Sequence, residues 1–306
     1  MSRVVALPAD ADFVAAERIV RRFLSPTPVV EALGISLKVE TVKPTGSFKI
    51  RGALAALAAL PPGPVVTASA GNHGLGVAQA AALLDREATV VVPETASTAK
   101  ISRLREFAVE LVLAGSSYDE AEAHALGLGG AYVSPYNDPL VIAGQRTLGV
   151  ELGEQLPGPL TVVVPAGGGG LLAGVALWAS ERPDVRVVGV EAAASRALSA
   201  SVEAGRVVEV EVGPTLADGI AGGLEPGCVT VDIAARAVDA FVAVEEDELR
   251  AAIRALAFEA GLVAEGAGAA ATAAVLAGRV PDDRPVVAIV SGRNLTREVL
   301  VDVLSL

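Results

Sequence analysis

Cysteine is almost missing from this chain of 306 residues: Cys228 stands alone, with no partner for an internal disulfide, and a reducing compartment is the natural setting. Aromatic side chains make up only 3% of a chain that is 52% hydrophobic, which leaves alanine, valine and glycine to fill the interior. Positive charge is short as well. The 24 lysines and arginines face 36 acids, and a net charge of −12 argues against a nucleic-acid surface or an anionic membrane as the working partner. The longest apolar stretch, from Thr161 to Ala179, is interrupted by Pro165 and a string of glycines, and the N-terminus has no uninterrupted apolar core of the signal type. These absences leave a cytoplasmic protein working on small molecules as the expectation, with length for one large domain or two ordinary ones.

What is present alternates between two periods. Residues 12–23 carry apolar side chains at helical spacing with Arg18, Arg21 and Arg22 between them, and Ser25-Pro26-Thr27-Pro28 stops that helix because proline favours extended backbone. Strands are expected at 35–40, 65–68, 89–92, 110–113, 161–164, 186–190, 240–244 and 286–290. Helices are expected at 53–60, 75–84, 99–107, 118–126, from 139 or 140 onward, 175–179, 249–259 and an alanine-rich run reaching 277. This alternation indicates an α/β fold with parallel sheets built from βαβ units. Residues 64–132 are expected to form a small mobile αβ domain, with 1–60 and 135–306 making a larger one.

Lysine is the rarest charge, with four against twenty arginines, and one of the four has an unusual setting. Lys49 lies in Lys43-Pro44-Thr45-Gly46-Ser47-Phe48-Lys49-Ile50-Arg51-Gly52-Ala53, half surrounded by apolar residues at the approach to a helix. A lysine partly withdrawn from water loses some preference for its charged form, and its amine becomes a nucleophile toward carbonyl groups; the plain alternative is a side chain snorkelling from a helix start. Ser69-Ala70-Gly71-Asn72-His73-Gly74, at a strand-to-helix turn, offers N–H groups and short polar side chains to an anion such as a carboxylate. Gly167-Gly168-Gly169-Gly170 after a strand and before a helix costs backbone entropy that packing does not readily explain, and suits a phosphate at a helix N-terminus. A dinucleotide competes for that loop, because Glu191 ends the next strand about twenty residues on, where a ribose-binding acid would sit. The segment is not a strict Gly-x-Gly-x-x-Gly, however, and a whole αβ lobe precedes it.

The Lys49 segment, the Ser69–Gly74 loop, the tetraglycine and Ser291-Gly292-Arg293-Asn294 occur in the order found in fold type II, or tryptophan synthase β-like, pyridoxal-phosphate enzymes. From about Ser25 to Asn294 the chain resembles that family, and within it the serine/threonine dehydratase and serine racemase branch. The resemblance implies two lobes, each a largely parallel sheet flanked by helices, and pyridoxal 5'-phosphate as cofactor. It implies Lys49 as the Schiff-base lysine with Phe48 beside it, Asn72 at the cofactor's phenolic oxygen, and Gly167, Gly168, Gly169, Gly170 and the N–H of Leu171 around its phosphate. Glu265 would lie near the pyridine ring and the Ser291 hydroxyl would face the pyridine nitrogen. Ser69, Ala70, Gly71, Asn72 and His73 would take the substrate carboxylate, with no chemical step for His73, and Gly219 in Leu216-Ala217-Asp218-Gly219-Ile220 would line the substrate side chain.

The implied reaction is β-elimination of water from threonine or serine, giving a 2-keto acid and ammonia. A 3-hydroxyaspartate dehydratase or an amino-acid racemase is the alternative within the family; a dinucleotide-dependent oxidoreductase and a catalytically silent ligand-binding relative are the alternatives of a different functional class. Racemases of the family carry a serine where this chain has Ala70. In the family the acid at Glu191 can belong to a divalent-metal site with a carboxylate six residues on, where this chain has Ala197 after Arg196, so no metal is expected. Arg146 and Arg293 replace common glycines, either to read a second carboxylate or to pair with this chain's own acids. A homodimer is expected, and the end at Leu306, soon after Ser291, is expected to leave no room for a regulatory domain.

Overall fold

The computed structural model describes residues 5–281 and 283–305. Helix α1 (Asp10–Phe23) has Asp10 and Asp12 in its first turn and Arg21 and Arg22 in its last, charges that complement the helix dipole. Strands β1 (Val29–Ala32) and β2 (Ile35–Val39) then form an antiparallel hairpin through Leu33 and Gly34, both at positive φ (57° and 74°), as a two-residue hairpin turn requires. A 3-10 turn and the lysine segment lead into α2 (Lys49–Ala59).

The chain next builds a four-stranded parallel sheet from β3 (Val65–Ala68), α3 (Asn72–Leu84), β4 (Ala88–Val92), α4 (Thr98–Leu104), β5 (Glu110–Leu113), α5 (Tyr118–Gly127) and β6 (Ala131–Tyr132), in the order β5-β4-β3-β6. Helix α6 (Pro139–Gln155) follows, its first N–H groups capped by Asp138 and its first turn started by Pro139. The remaining elements are β7 (Leu160–Pro165), α7 (Gly170–Ala179), β8 (Val185–Ala192), α8 (Ala197–Ala204), α9 (Val229–Ala237), β9 (Ala240–Val244), α10 (Glu246–Phe258), α11 (Gly266–Leu276), β10 (Val286–Val290) and α12 (Arg297–Leu304). Together with β1 and β2 they give a six-stranded sheet, β1-β2-β10-β7-β8-β9, parallel except at β1.

Strand β7 is buried along its whole length, as its apolar sequence requires of a central strand covered on both faces. On one side α10 and the alanine-rich α11 pack against the sheet, and on the other α6 and α7 do so around Trp178, so small side chains bring helices and strands close without aromatic bulk. The chain runs outward through β7, β8 and β9, then returns to place β10 on the other side of β7. That reversal is a topological switch point, where open parallel sheets leave a crevice at their carboxyl ends.

Five elements were not expected from sequence: β1, β6, α8, α9 and α12. Three expected helices start earlier than their apolar periodicity suggests, α2 at Lys49, α3 at Asn72 and α7 at Gly170. Their first turns are polar or glycine-rich, which hides the helical period, and Lys49, Asn72 and Gly170 therefore stand at helix starts, with Ser69–Gly71 and Gly167–Gly169 in the turns just before them.

Candidate active site

A cavity of about 760 Å³ collects the carboxyl ends of both sheets. Phe48 follows β2, Ser69 follows β3, Pro93 follows β4, Pro135 follows β6, the tetraglycine follows β7 and Ser291 follows β10; all line this cavity. Every site residue expected from sequence lines it too, from Phe48 and Lys49 through Ser69–His73 and Gly167–Leu171 to Gly219, Glu265 and Ser291.

Lys49 is half-buried at the first position of α2, with Nζ donating to the Pro135 carbonyl at 2.8 Å and lying 5.3 Å from the centroid of the Phe48 ring. Burial pulls its pKa down to about 8, against the opposing pull of Glu265. The segment before it is laced to the exit of β10. Phe48 N–H donates to the Ser291 carbonyl (3.1 Å), Arg293 N–H donates to the Gly46 carbonyl (2.9 Å), and Ser47 bridges Gly292.

Asn72 opens α3 and donates to Glu265 Oε1 (2.6 Å), while its own Oδ1 accepts from Asn294 Nδ2 (2.6 Å). Burial pushes the Glu265 carboxyl up to about 7, although the bond from Asn72 favours its charged form. Ser69 Oγ accepts from Gly71 N–H at 3.2 Å and closes the loop. His73 is buried against the Val133 carbonyl (Nε2 to O, 3.1 Å), and burial together with nearby Lys49 lowers its pKa to about 3. A neutral ring donating to a backbone carbonyl agrees with an orienting role and no proton transfer.

The glycines have a packing reason that sequence did not reveal. A side chain at Gly168 would strike the Tyr136 ring, one at Gly170 would come within 2.9 Å of Tyr136 Cα, and one at Gly167 within 2.7 Å of Ile220 Cα. Gly169 stands at φ 85°, a conformation that favours glycine, and a Cβ there would lie 2.9 Å from Thr230, whose hydroxyl donates to the Gly168 carbonyl at 2.7 Å. The first N–H groups of α7 have no intrahelical acceptor, so the same turn serves packing and anion binding together. A Cβ on Gly219 would lie 3.1 Å from Ala267 Cβ, and the Ser291 hydroxyl is buried 3.4 Å from the Ala267 carbonyl.

Arg146 does not reach the cavity: it pairs with Glu181 at 2.7 and 2.9 Å and lies over the Phe13 ring at 4.6 Å. Arg293 is exposed and outside the lining. Glu191 is buried and accepts from the N–H groups of Leu198 (2.9 Å) and Ser199 (3.3 Å), capping α8. Sequence reading missed other lining residues. Lys100 pairs with Asp218 (3.1 Å) and Arg103 donates to Asn294 (2.7 Å), tying α4 to the opposite wall; only their spacing of one helical turn could have signalled a shared face.

Beneath the site lies a buried ionic network also absent from the sequence reading. Arg51, two residues past Lys49, donates to both oxygens of Glu40 (2.8 Å each) and both of Glu151 (2.6 and 2.8 Å), and Lys38 donates to Glu151 (2.7 Å), Gln155 and the Thr27 carbonyl. Burial works against the charge on Glu151, but Arg51 and Lys38 outweigh it and bring its pKa to about 2.

The family model described as pyridoxal-phosphate dependent enzyme matches residues 20–292. The chain belongs to that family. Among similar proteins, the L-threonine ammonia-lyase of Thermotoga maritima is 44% identical over 270 residues, spanning 85% of this chain and 67% of the relative. The solved structure of the processed form of threonine deaminase isoform 2 from Solanum lycopersicum superposes with a TM-score of 0.88 at 32% identity, over 100% of this chain and 96% of that one. Maize serine racemase superposes with a TM-score of 0.89 at 26% identity, over 98% of each chain. Membership makes this a pyridoxal-phosphate enzyme of fold type II, and the residues present fit the cofactor: a lysine amine with lowered pKa shares a cavity with a glycine-rich helix start able to take a phosphate. The dinucleotide reading falls away with membership, and Glu191, its ribose acid, is occupied in capping α8.

Proposed function

We propose that this chain is a threonine/serine ammonia-lyase, removing water from a β-hydroxy amino acid to release a 2-keto acid and ammonia. The observation that carries the reading is the Lys49 amine, brought to a pKa of about 8, in one cavity with the start of α3 and the glycine turn. When bound, pyridoxal phosphate supplies an electron sink for the charge left at the substrate Cα. Phe48 and Lys49, Asn72, Gly167–Gly170, Leu171, Glu265 and Ser291 would hold it. The Ser69–His73 turn would receive the α-carboxylate on backbone N–H groups, and Gly219 would leave room for the side chain. The Lys49 amine would withdraw the α-proton of the bound substrate. Ser291 would offer the ring nitrogen a neutral hydroxyl where a carboxylate would keep that nitrogen protonated, which would lessen the stabilisation of charge at Cα and favour departure of the β-hydroxyl.

Ala70 supports the lyase over a racemase, since its methyl group can neither give nor take a proton. Arg146, held by Glu181, lends no support to recognition of a second carboxylate. We further propose catalysis without a divalent metal, since Glu191 is committed to α8, and closure of the lobe 64–132 over the substrate. A homodimer in the cytoplasm completes the reading. The lone Cys228 is buried and unpaired, no helix among the described residues is long and apolar enough to cross a membrane, and exposed Phe258 and Val301 on the neighbouring α10 and α12 offer apolar surface to a second copy. The test is to incubate the yellow holoenzyme with L-threonine, L-serine and 3-hydroxyaspartate, following keto acid, ammonia and D-isomer, with borohydride fixing the label on Lys49. Keto acid from threonine or serine is expected; rapid D-isomer without keto acid would overturn the reading.

A further inference from the structure

The Lys49 amine is aimed by one backbone carbonyl, that of Pro135, and the position of that carbonyl depends on how the segment between β6 and α6 is held. Both ends of the four-residue arch Ser134–Asn137 are anchored on a single carboxylate. Ser134 Oγ donates to Glu225 Oε1 at 2.7 Å, and Asn137 Nδ2 donates to Glu225 Oε2 at 3.0 Å. Ser134 and Asn137 are buried, at 0% and 1% exposure, so neither can turn to bulk water for a replacement acceptor. Their polarity is also settled by other bonds. Ser134 Oγ accepts from Asn137 N–H (3.1 Å), which directs its hydrogen elsewhere, and Asn137 Oδ1 accepts from Val229 N–H (3.1 Å), which turns its NH₂ toward Glu225. Two donors thus converge on residue 225, and a carboxylate satisfies both with its two oxygens. Between the anchors, the Tyr136 hydroxyl accepts from Glu225 N–H (2.9 Å), and the Tyr136 ring and backbone crowd Gly168 and Gly170.

We propose that Glu225 is a positioning residue that sets the Lys49 amine and the glycine turn in register by holding the Ser134–Asn137 arch from both ends. The proposal rests on Lys49 and the glycine turn forming the reaction site, as argued above, and it adds a residue that no sequence motif marks. Loss of the carboxylate frees the carbonyl that aims the amine and the ring that backs the glycines. Misplacement of a reacting group by about 1 Å costs on the order of 100-fold in rate.

Two variants, Glu225→Ala and Glu225→Gln, test it by steady-state kinetics on threonine and by equilibrium titration of the apoprotein with pyridoxal phosphate, read by fluorescence. Glu225→Ala is expected to lower kcat by about 30- to 100-fold with KM within about three-fold, and to weaken cofactor binding by about ten-fold, the equivalent of one good hydrogen bond. Glu225→Gln keeps one acceptor and should lose less of each; it carries the test if the alanine variant does not fold. Because Glu225 acts in part through Ser134, the losses in the pair Glu225→Ala with Ser134→Ala should be clearly less than the sum of the single losses. Unchanged kcat and cofactor affinity in both variants would overturn the proposal, as would fully additive losses in the pair. Failure of the unmodified protein to turn over threonine would sink the lyase reading while leaving the cofactor titration and its pair comparison to decide the role of Glu225.

Discussion

Lys49 has an ordinary chemical group in a place that changes its behaviour. A lysine amine that titrates near 8, against an ordinary 10.5, is about half neutral at pH 8, where a solvated lysine is almost all ammonium. The rate at which the apoprotein captures pyridoxal phosphate should therefore rise with pH to a midpoint near 8, measured by stopped-flow absorbance; a midpoint near 10.5 would show that burial does not act on this amine. In the turn between β3 and α3 the deciding residue is Ala70, which lines the cavity with a side chain incapable of proton transfer. Racemisation by two bases needs a group on each face of the carbanion. We expect Ala70→Ser to give measurable D-isomer from L-serine, where the unmodified protein gives little, followed by chiral chromatography; rapid racemisation without the substitution would mean that another group guards the second face. Arg146, by contrast, shows why a departure from a family pattern is a weak guide to specificity: its Glu181 partner is 35 positions away and could not be identified from sequence.

At the scale of elements, α2 is held from both ends. Arg51 anchors its start through Glu40 and Glu151, joining the 3-10 turn after β2 to α2 and α6, while Arg86 donates to the carbonyls of Leu57, Leu60, Pro61 and Gly63 and so ties down the turn that follows its end. Removing one partner of a buried ionic network strands the others without water. Arg51→Ala is expected to cost about 3–5 kcal/mol in urea unfolding, far beyond the effect of an exposed arginine such as Arg18. A loss below about 1 kcal/mol would show that the network can relax or hydrate. Helix α4 contributes differently, reaching across the cavity with Lys100 and Arg103 to Asp218 and Asn294. Half-exposed contacts of that kind are cheap to break, which is compatible with the closure proposed for the lobe 64–132.

For the whole molecule, the same network makes stability fall in acid. Glu151 has an ordinary pKa of 4.5 and a folded value of about 2, so its contribution is complete above pH 4.5 and disappears as pH falls toward 2; Glu40, also lowered, adds in the same direction. The melting temperature should hold between pH 7 and 5 and drop below 4.5, and Glu151→Gln should start lower and drop less steeply. An unmodified protein that melts at the same temperature at pH 3 as at pH 7 would remove the network from the account of its stability. The α/β class, most strands and the order of site motifs were legible in the sequence because each is written locally: apolar runs at period two or 3.6, and a lysine, a carboxylate loop, a tetraglycine and a serine each beside a strand end. Short β6 and the polar starts of α2, α3 and α7 were not legible, because propensity is weak where pairing or ligand geometry decides the conformation. By itself the sequence determined which chemical groups the protein has and near which strand ends they fall. Only the tertiary structure decided that Tyr136 and Thr230 demand the glycines, that Glu151 and Arg51 meet across a hundred residues, and that Glu225 anchors the arch aiming Lys49. Such contacts depend on pairs distant along the chain, and burial, which sets their strength, exists only once the chain has closed on itself.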